Sequence, residues 1–218
     1  MALSPFSYQE FLSSDDVFSA ITLYTYEQKG GRQNEIEEHE SMEELRGEAF
    51  AGTEQLTVMG KQLHAGDPAP DFWLDYLDLA DLVVRTISLA DSKGLVRLLS
   101  VVNSLERSVC QQVTRQWEAL CPALPLDTNI YTVSMDSPQM QSRWQDSAGV
   151  LHQALSAQRS EQFGLDYGVW LNEWRLFQRA VFVIDRHDHL VYAEYVADQL
   201  REPDYGAALQ AVQQSAME

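Results

Sequence analysis

Cysteine, basic side chains and long apolar runs are all scarce in this sequence. The 218 residues include two cysteines, which are too few for a disulfide scaffold. No apolar stretch approaches the roughly 20 residues that a membrane-spanning helix needs. The N-terminus also lacks the basic start and apolar block of a secretory signal. We therefore expect a cytoplasmic protein that does not bind membranes.

The shortage of basic residues gives the chain a strongly negative charge. Fifteen basic side chains stand against 33 acidic ones, so the net charge is -18. A surface this negative repels phosphate backbones and anionic lipid, so nucleic-acid binding is not expected. Solubility is a sufficient reason for the charge.

The first 50 residues differ from the rest in charge, with three basic and 11 acidic side chains. Residues 17–26 are rich in β-branched and aromatic side chains and predict a strand, and residues 35–46 predict a charged helix. We assign residues 1–52 to an acidic N-terminal extension that packs on the main domain or on a partner.

Residues 53–218 alternate between strand patterns and helix patterns. With 45% hydrophobic residues, the chain can bury one full core. Alternating strands and helices predict an α/β domain with a central sheet covered by helices on both faces. The predicted strands span residues 96–102, 129–134, 180–184 and 190–196, and the predicted helices span residues 109–120, 138–144 and 204–212.

Cys110 lies where a predicted strand turns into a predicted helix. Unpaired N–H groups and the positive end of the helix dipole stabilise a thiolate there, and a thiolate attacks peroxides and disulfides. Two arginines are candidate supporting cations. Arg179, at the start of a predicted buried strand, can reach Cys110 or stay at the surface. Arg107, three residues before Cys110, can stand over the sulfur or point to solvent.

Other polar candidates have simpler interpretations. Ser104 is a hydroxyl donor near the turn or a cap of the helix. Cys121 is roughly 16 Å from Cys110 along a helix, whereas disulfide-bonded Cα atoms lie within about 7 Å, so a structural role is expected. His187 and His189 fit a polar turn better than a metal pair. We predict no cofactor and no metal ligands.

Seven ordered motifs between about residues 54 and 213 resemble those of bacterial thiol peroxidases of the Tpx type, a peroxiredoxin subfamily with a thioredoxin-like fold. They are residues 66–72 (GDPAPDF), the turn through Cys110 to Arg115, and residues 134–138, 141–143, 163–169, 179–185 and 202–205. The resemblance implies a thioredoxin-like fold for residues 53–218. It also implies that Cys110 is the peroxidatic cysteine and that Arg179 supports its thiolate.

Three positions depart from that family pattern. Asn103 replaces a proline, and Arg107 replaces a threonine that normally hydrogen-bonds the sulfur and the peroxide. Arg107 can supply charge there, but it cannot accept a hydrogen bond. Gln145 replaces the resolving cysteine, so the internal disulfide of the usual recycling route cannot form.

Two functional hypotheses follow. The first is a one-cysteine peroxidase that reduces a hydroperoxide through Cys110 and is recycled by an external thiol, either thioredoxin or a small thiol. The second is a catalytically degenerate relative that acts as a binding or redox-sensing module. A disulfide oxidoreductase is disfavoured because the sequence has no Cys-x-x-Cys motif. The resemblance also implies a homodimer.

Overall fold

The computed structural model describes the backbone of residues 44–217 and, from Glu48 onward, their side chains. The predicted strand at residues 17–26 lies outside this range, as does most of the predicted helix at residues 35–46. The end of that helix prediction is wrong, because residues 44–46 belong to the first strand, β1 (Glu44–Ala51). They pair with residues 57–59, and this pairing outweighs the local helical pattern.

Eleven strands are found in the described residues, arranged in two sheets. After β1 they are β2 (Glu54–Met59), β3 (Trp73–Asp78), β4 (Val83–Ser88), β5 (Val96–Val101), β6 (Thr128–Ser134), β7 (Gln153–Ser156), β8 (Trp170–Leu171), β9 (Leu176–Phe177), β10 (Ala180–Ile184) and β11 (Leu190–Tyr195). The central sheet has the order β11-β10-β5-β6-β7-β3-β4, and the smaller sheet has the order β1-β2-β8-β9. β5, β6 and β7 run parallel, whereas the other pairs in the central sheet are antiparallel.

The described part of the chain also contains four α-helices. They are α1 (Ser108–Leu120), α2 (Pro138–Ala148), α3 (Gln162–Asp166) and α4 (Tyr205–Ser215). The three predicted helices correspond to α1, α2 and α4, with ends that differ by a few residues. None of the helices described is long and apolar enough to cross a membrane.

Apolar side chains cover both faces of the central sheet. In β5, Val96 and Leu98 face one core, and Leu99 and Val101 face the other. Trp117 of α1 packs in the first core together with residues of α4, whereas the second core contains aromatic residues from α3 and the segment that follows it. The structure thus confirms the predicted layered α/β architecture with a mixed sheet and helices on both faces.

The strand order brings two distant segments to one edge of this sheet. Ala180 of β10 pairs with Val101 at the end of β5, so Arg179 lies beside the turn that leads from β5 into α1. β1, which the sequence analysis placed in the N-terminal extension, pairs with β2 and belongs to the compact unit Ser41–Glu218.

Candidate active site

Cys110 is the third residue of α1, within the first helical turn. The N–H groups of this turn have no intrahelical partner and carry the positive end of the dipole. Arg107 is the N-cap in an extended conformation, and its side chain makes no capping hydrogen bond. The Cys110 side chain is 0% exposed, so the sulfur is shielded from bulk water.

Arg179 is the cation that contacts this sulfur. Its Nη2 lies 3.3 Å from Cys110 Sγ and 3.3 Å from Asn103 Oδ1, and Nη1 donates to the backbone carbonyls of Gln199 at 2.9 Å and Arg201 at 2.7 Å. The arginine is 1% exposed, and its Nε has no hydrogen-bond partner in the described residues.

The guanidinium has no carboxylate among the hydrogen-bond partners that the described part of the chain gives it. A buried cation without a counter-ion is costly. Of its four contacts, Cys110 is the one that can become an anion. The guanidinium is therefore placed to hydrogen-bond the sulfur of Cys110.

Tyr205 adds no charge near this guanidinium. Burial, followed by a hydrogen bond to Glu202, raises the pKa of the phenol far above its ordinary value. The phenol donates to Glu202 Oε2 at 2.7 Å and stays neutral at physiological pH.

Asn103 is fixed by its own hydrogen bonds. Its Nδ2 donates to the carbonyl of Phe177 at 2.5 Å and to Gln199 Oε1 at 3.0 Å. Its Oδ1 therefore faces Cys110 Sγ, at 3.7 Å, and can accept a hydrogen bond from the thiol. At this position, where the family has a proline, the chain places an oxygen beside the sulfur.

Gln199 supports both Arg179 and Asn103, and sequence reasoning missed it. Its Oε1 accepts from the backbone N–H of Arg179 at 2.8 Å, and its Nε2 donates to the carbonyl of Val196 at 2.5 Å. The residue is 2% exposed. It lies in an irregular segment after β11, where no periodicity or motif marks it.

The contact that the structure shows for the guanidinium of Arg107 is with an aromatic ring. The guanidinium stacks on Trp174, 4.3 Å from the ring centroid, and Trp174 Nε1 donates to Glu54 Oε1 at 3.2 Å. The sequence analysis left open whether this charge stands over Cys110 or points to solvent. The β8–β9 hairpin brings Trp174 close to the exposed guanidinium of Arg107, and the two make a cation–π contact.

Ser104 and Asp136 fix the turn before α1. Ser104 Oγ and the backbone N–H of Leu105 each donate to a carboxylate oxygen of Asp136 at 2.7 Å. Ser134 Oγ, at the end of β6, donates to the same carboxylate at 2.8 Å. Ser104 thus ties the turn to the neighbouring strand and does not cap the helix.

The remaining candidates lie away from Cys110. Both cysteines are free, and Cys121 lies directly after the last residue of α1. Gln145, on α2, donates from Nε2 to the carbonyl of His152 at 2.6 Å. Asp185 Oδ1 accepts from the backbone N–H groups of residues 187 and 189 at 2.8 and 2.9 Å, so these histidines form the polar turn that was predicted.

The sequence was also compared with protein families. The model of the AhpC/TSA family matches residues 65–193, a range that contains both Cys110 and Arg179. The chain belongs to the AhpC/TSA family. Gln199 and Arg201, which hold the guanidinium of Arg179, lie beyond the matched residues.

Curated relatives and solved structures agree with this membership. A thiol peroxidase of Halalkalibacterium halodurans is 43% identical over 159 residues, covering 72% of this chain and 91% of the relative. A thiol peroxidase of Bacillus subtilis is 38% identical over 157 residues, covering 72% of this chain and 90% of the relative. A peroxiredoxin-like protein from Aquifex aeolicus superposes with a TM-score of 0.68 at 25% identity, covering 76% of this chain and 95% of its own.

Another solved structure is similar to this chain in fold alone. The thiol peroxidase from Chromobacterium violaceum superposes with a TM-score of 0.68 at 21% identity, covering 80% of this chain and 99% of its own. Together these findings confirm the predicted resemblance: this AhpC/TSA family member is a thioredoxin-like peroxiredoxin of the Tpx type.

Proposed function

We propose that this chain is a thiol-dependent peroxidase in which Cys110 is the single peroxidatic cysteine and Arg179 supports its thiolate. One observation carries the proposal. A buried guanidinium that makes no carboxylate contact in the described residues lies 3.3 Å from a buried sulfur in the first turn of a helix. Thiol peroxidases that are 38–43% identical to this chain support the same activity.

The reaction requires a thiolate and a polarised peroxide. The Cys110 thiolate attacks one oxygen of the hydroperoxide, so that an S–O bond forms while the O–O bond breaks. The leaving oxygen takes up a proton and departs as water or an alcohol, and Cys110 becomes a sulfenic acid. Arg179 Nη2 stabilises the attacking thiolate, and the helix N–H groups add positive potential around it.

Recycling needs a thiol from outside the chain. Gln145 cannot form a disulfide, and Cys121 lies at the far end of α1, roughly 16 Å away along the helix. An external thiol attacks the sulfenic sulfur and releases water, and a second thiol then frees Cys110 from the mixed disulfide. The reductant is thioredoxin or a small thiol. A homodimer and a cytoplasmic location complete the proposal.

The alternative is a catalytically degenerate module for binding or redox sensing. The departures at Asn103, Arg107 and Gln145 and the acidic extension motivate it, but Arg179 provides a cation beside the sulfur. The two curated relatives described above, which this chain covers almost completely, are thiol peroxidases, so this alternative is not favoured.

A direct test follows the oxidation of each cysteine. The reduced protein is mixed with hydrogen peroxide or an organic hydroperoxide, and the masses of the peptides containing Cys110 and Cys121 are measured over time. We expect Cys110 to gain one oxygen much faster than Cys121 or free cysteine, and Cys110→Ser to lose peroxide consumption. Oxidation of Cys110 no faster than that of free cysteine would exclude the proposal.

A further inference from the structure

Three side chains with different donor atoms meet at the end of α1 opposite Cys110. They are Glu118 and Cys121, at the end of this helix, and His152, just before β7. One ligand atom from each lies within 4.8 Å of the other two, and all three residues are partly buried. A thiol, an imidazole and a carboxylate together form the donor set that zinc-type cations prefer.

Glu118 and His152 are held in place by hydrogen bonds. His152 Nδ1 lies 2.7 Å from Glu118 Oε2, and the same oxygen accepts from the backbone N–H groups of Leu151 and His152, both at 3.0 Å. The hydrogen bonds of the Glu118 carboxylate thus connect the end of α1 with the segment before β7. Two of the three donors are therefore positioned before any ligand binds.

Thr132 supplies a partner for the other nitrogen of the imidazole. Its Oγ1 lies 2.9 Å from His152 Nε2. When Nδ1 binds a cation, the ring proton resides on Nε2, and the hydroxyl oxygen of Thr132 can accept it. Metal-binding histidines usually have such a partner, which fixes the tautomer and the ring orientation.

A cavity gives access to the cluster. Cys121 and His152 both line a cavity of about 530 Å³, together with residues of β6 and the segment before it. A cation bound by the three side chains would thus have an open position for water or a small ligand. The net charge of -18 raises the local concentration of cations.

We propose that Glu118, Cys121 and His152 form a binding site for a zinc-type divalent cation, with a fourth coordination position open to the cavity. Zinc binds nitrogen and oxygen at about 2.0–2.2 Å and sulfur at about 2.3 Å. At a tetrahedral angle these bond lengths place the nitrogen and the oxygen about 3.3 Å apart. The Glu118–His152 pair, at 2.7 Å, therefore opens by about 0.6 Å, a small side-chain movement. This site is separate from the peroxidase chemistry and does not depend on it.

The test uses Co²⁺ as a spectroscopic substitute for Zn²⁺. Co²⁺ is added to the reduced, metal-free full-length protein, and the thiolate-to-cobalt charge-transfer band is recorded in the near ultraviolet. We expect the band in the wild type and in the matched control Cys110→Ser, and its displacement by Zn²⁺. We expect its loss in Cys121→Ser, and affinity lowered about tenfold or more in His152→Gln and Glu118→Gln.

A second measurement needs no substitution at the site. Zn²⁺ is expected to slow alkylation of Cys121 by iodoacetamide in the wild type, with Cys110 in the same sample as the internal reference. Absence of the charge-transfer band in the wild type, or its survival in Cys121→Ser, overturns the proposal. Equal alkylation of Cys121 with and without Zn²⁺ also overturns it.

Discussion

The pair of substitutions Arg179→Met and Arg107→Met separates the two arginines that the sequence offered as supporting cations. Methionine keeps an unbranched side chain but removes the guanidinium. At Arg179 the change removes the donor 3.3 Å from Cys110 Sγ. At Arg107 it removes a charge that stacks on Trp174. The two variants thus test which cation acts on the sulfur.

The size of the effect follows from the hydrogen bond that is lost. A hydrogen bond to a charged group contributes about 1.5–3 kcal/mol, and each 1.36 kcal/mol is a factor of ten in rate. Arg179→Met should therefore slow the oxidation of Cys110 by hydrogen peroxide about 10- to 160-fold. Arg107→Met should change this rate about fivefold or less, since an exposed cation–π contact contributes only about 0.5–1 kcal/mol and acts on Trp174.

The assay is rapid mixing with peroxide, followed by mass measurement of Cys110 at each time point. Because Arg179→Met leaves the carbonyls of Gln199 and Arg201 without this donor, circular dichroism and urea unfolding establish that each variant is folded. Arg179→Lys, which keeps the charge, provides a second variant and should react at an intermediate rate. An equal loss in Arg107→Met and Arg179→Met, or a normal rate in Arg179→Met, would refute the reasoning.

Three further substitutions test other parts of the structure. Asn103→Asp puts a carboxylate beside Cys110, and two like charges about 4 Å apart repel by about 4 kcal/mol at an effective dielectric constant of 20. Alkylation of Cys110 at neutral pH should therefore slow at least tenfold in this variant. An unchanged rate would show that the side-chain oxygen of residue 103 does not face the sulfur. Side-chain hydrogen bonds from Arg186 lower the pKa of Asp127 in the folded protein. The ionised carboxylate therefore stabilises the fold above the unfolded pKa of about 3.9. This contribution is lost as the pH falls through the lower pKa of the folded protein. Asp127→Asn should thus be less stable than the wild type in urea at pH 7 and more nearly equal to it at strongly acidic pH; a difference that does not change with pH would contradict this. Trp117 is 0% exposed, and Trp117→Ala should lower the free energy of unfolding by about 3–5 kcal/mol, whereas a loss below about 1 kcal/mol would place it outside the core.

Two residues that the sequence predicted for the candidate site, Cys110 and Arg179, are in contact in the structure. Cys110 was found because a buried strand, a turn and a helix follow one another locally. Arg179 was found because it opens an apolar strand and matches a family motif. β10 is antiparallel to β5, so the start of β10 lies beside the end of β5 and the two residues come together.

Other parts of the site depend on contacts that no local pattern reveals. Gln199 lies in an irregular segment, and its role arises from its hydrogen bonds to Arg179 and Asn103. The position of Arg107 depends on its contact with Trp174, which lies far from it in the sequence. At residues 44–46 the helical pattern was misleading because the pairing of β1 with β2 decides the local conformation.

The complete burial of the Cys110 side chain means that turnover depends on how often the protein opens as well as on the reactivity of the sulfur. A small neutral oxidant needs only a brief, narrow opening, whereas a protein reductant needs a wide one. With a protein reductant we therefore expect the sulfenic acid to persist longer than the reduced thiol during steady turnover, whereas a small thiol would not have this disadvantage. Under a limited supply of protein reductant, most molecules would then be held in the oxidised form.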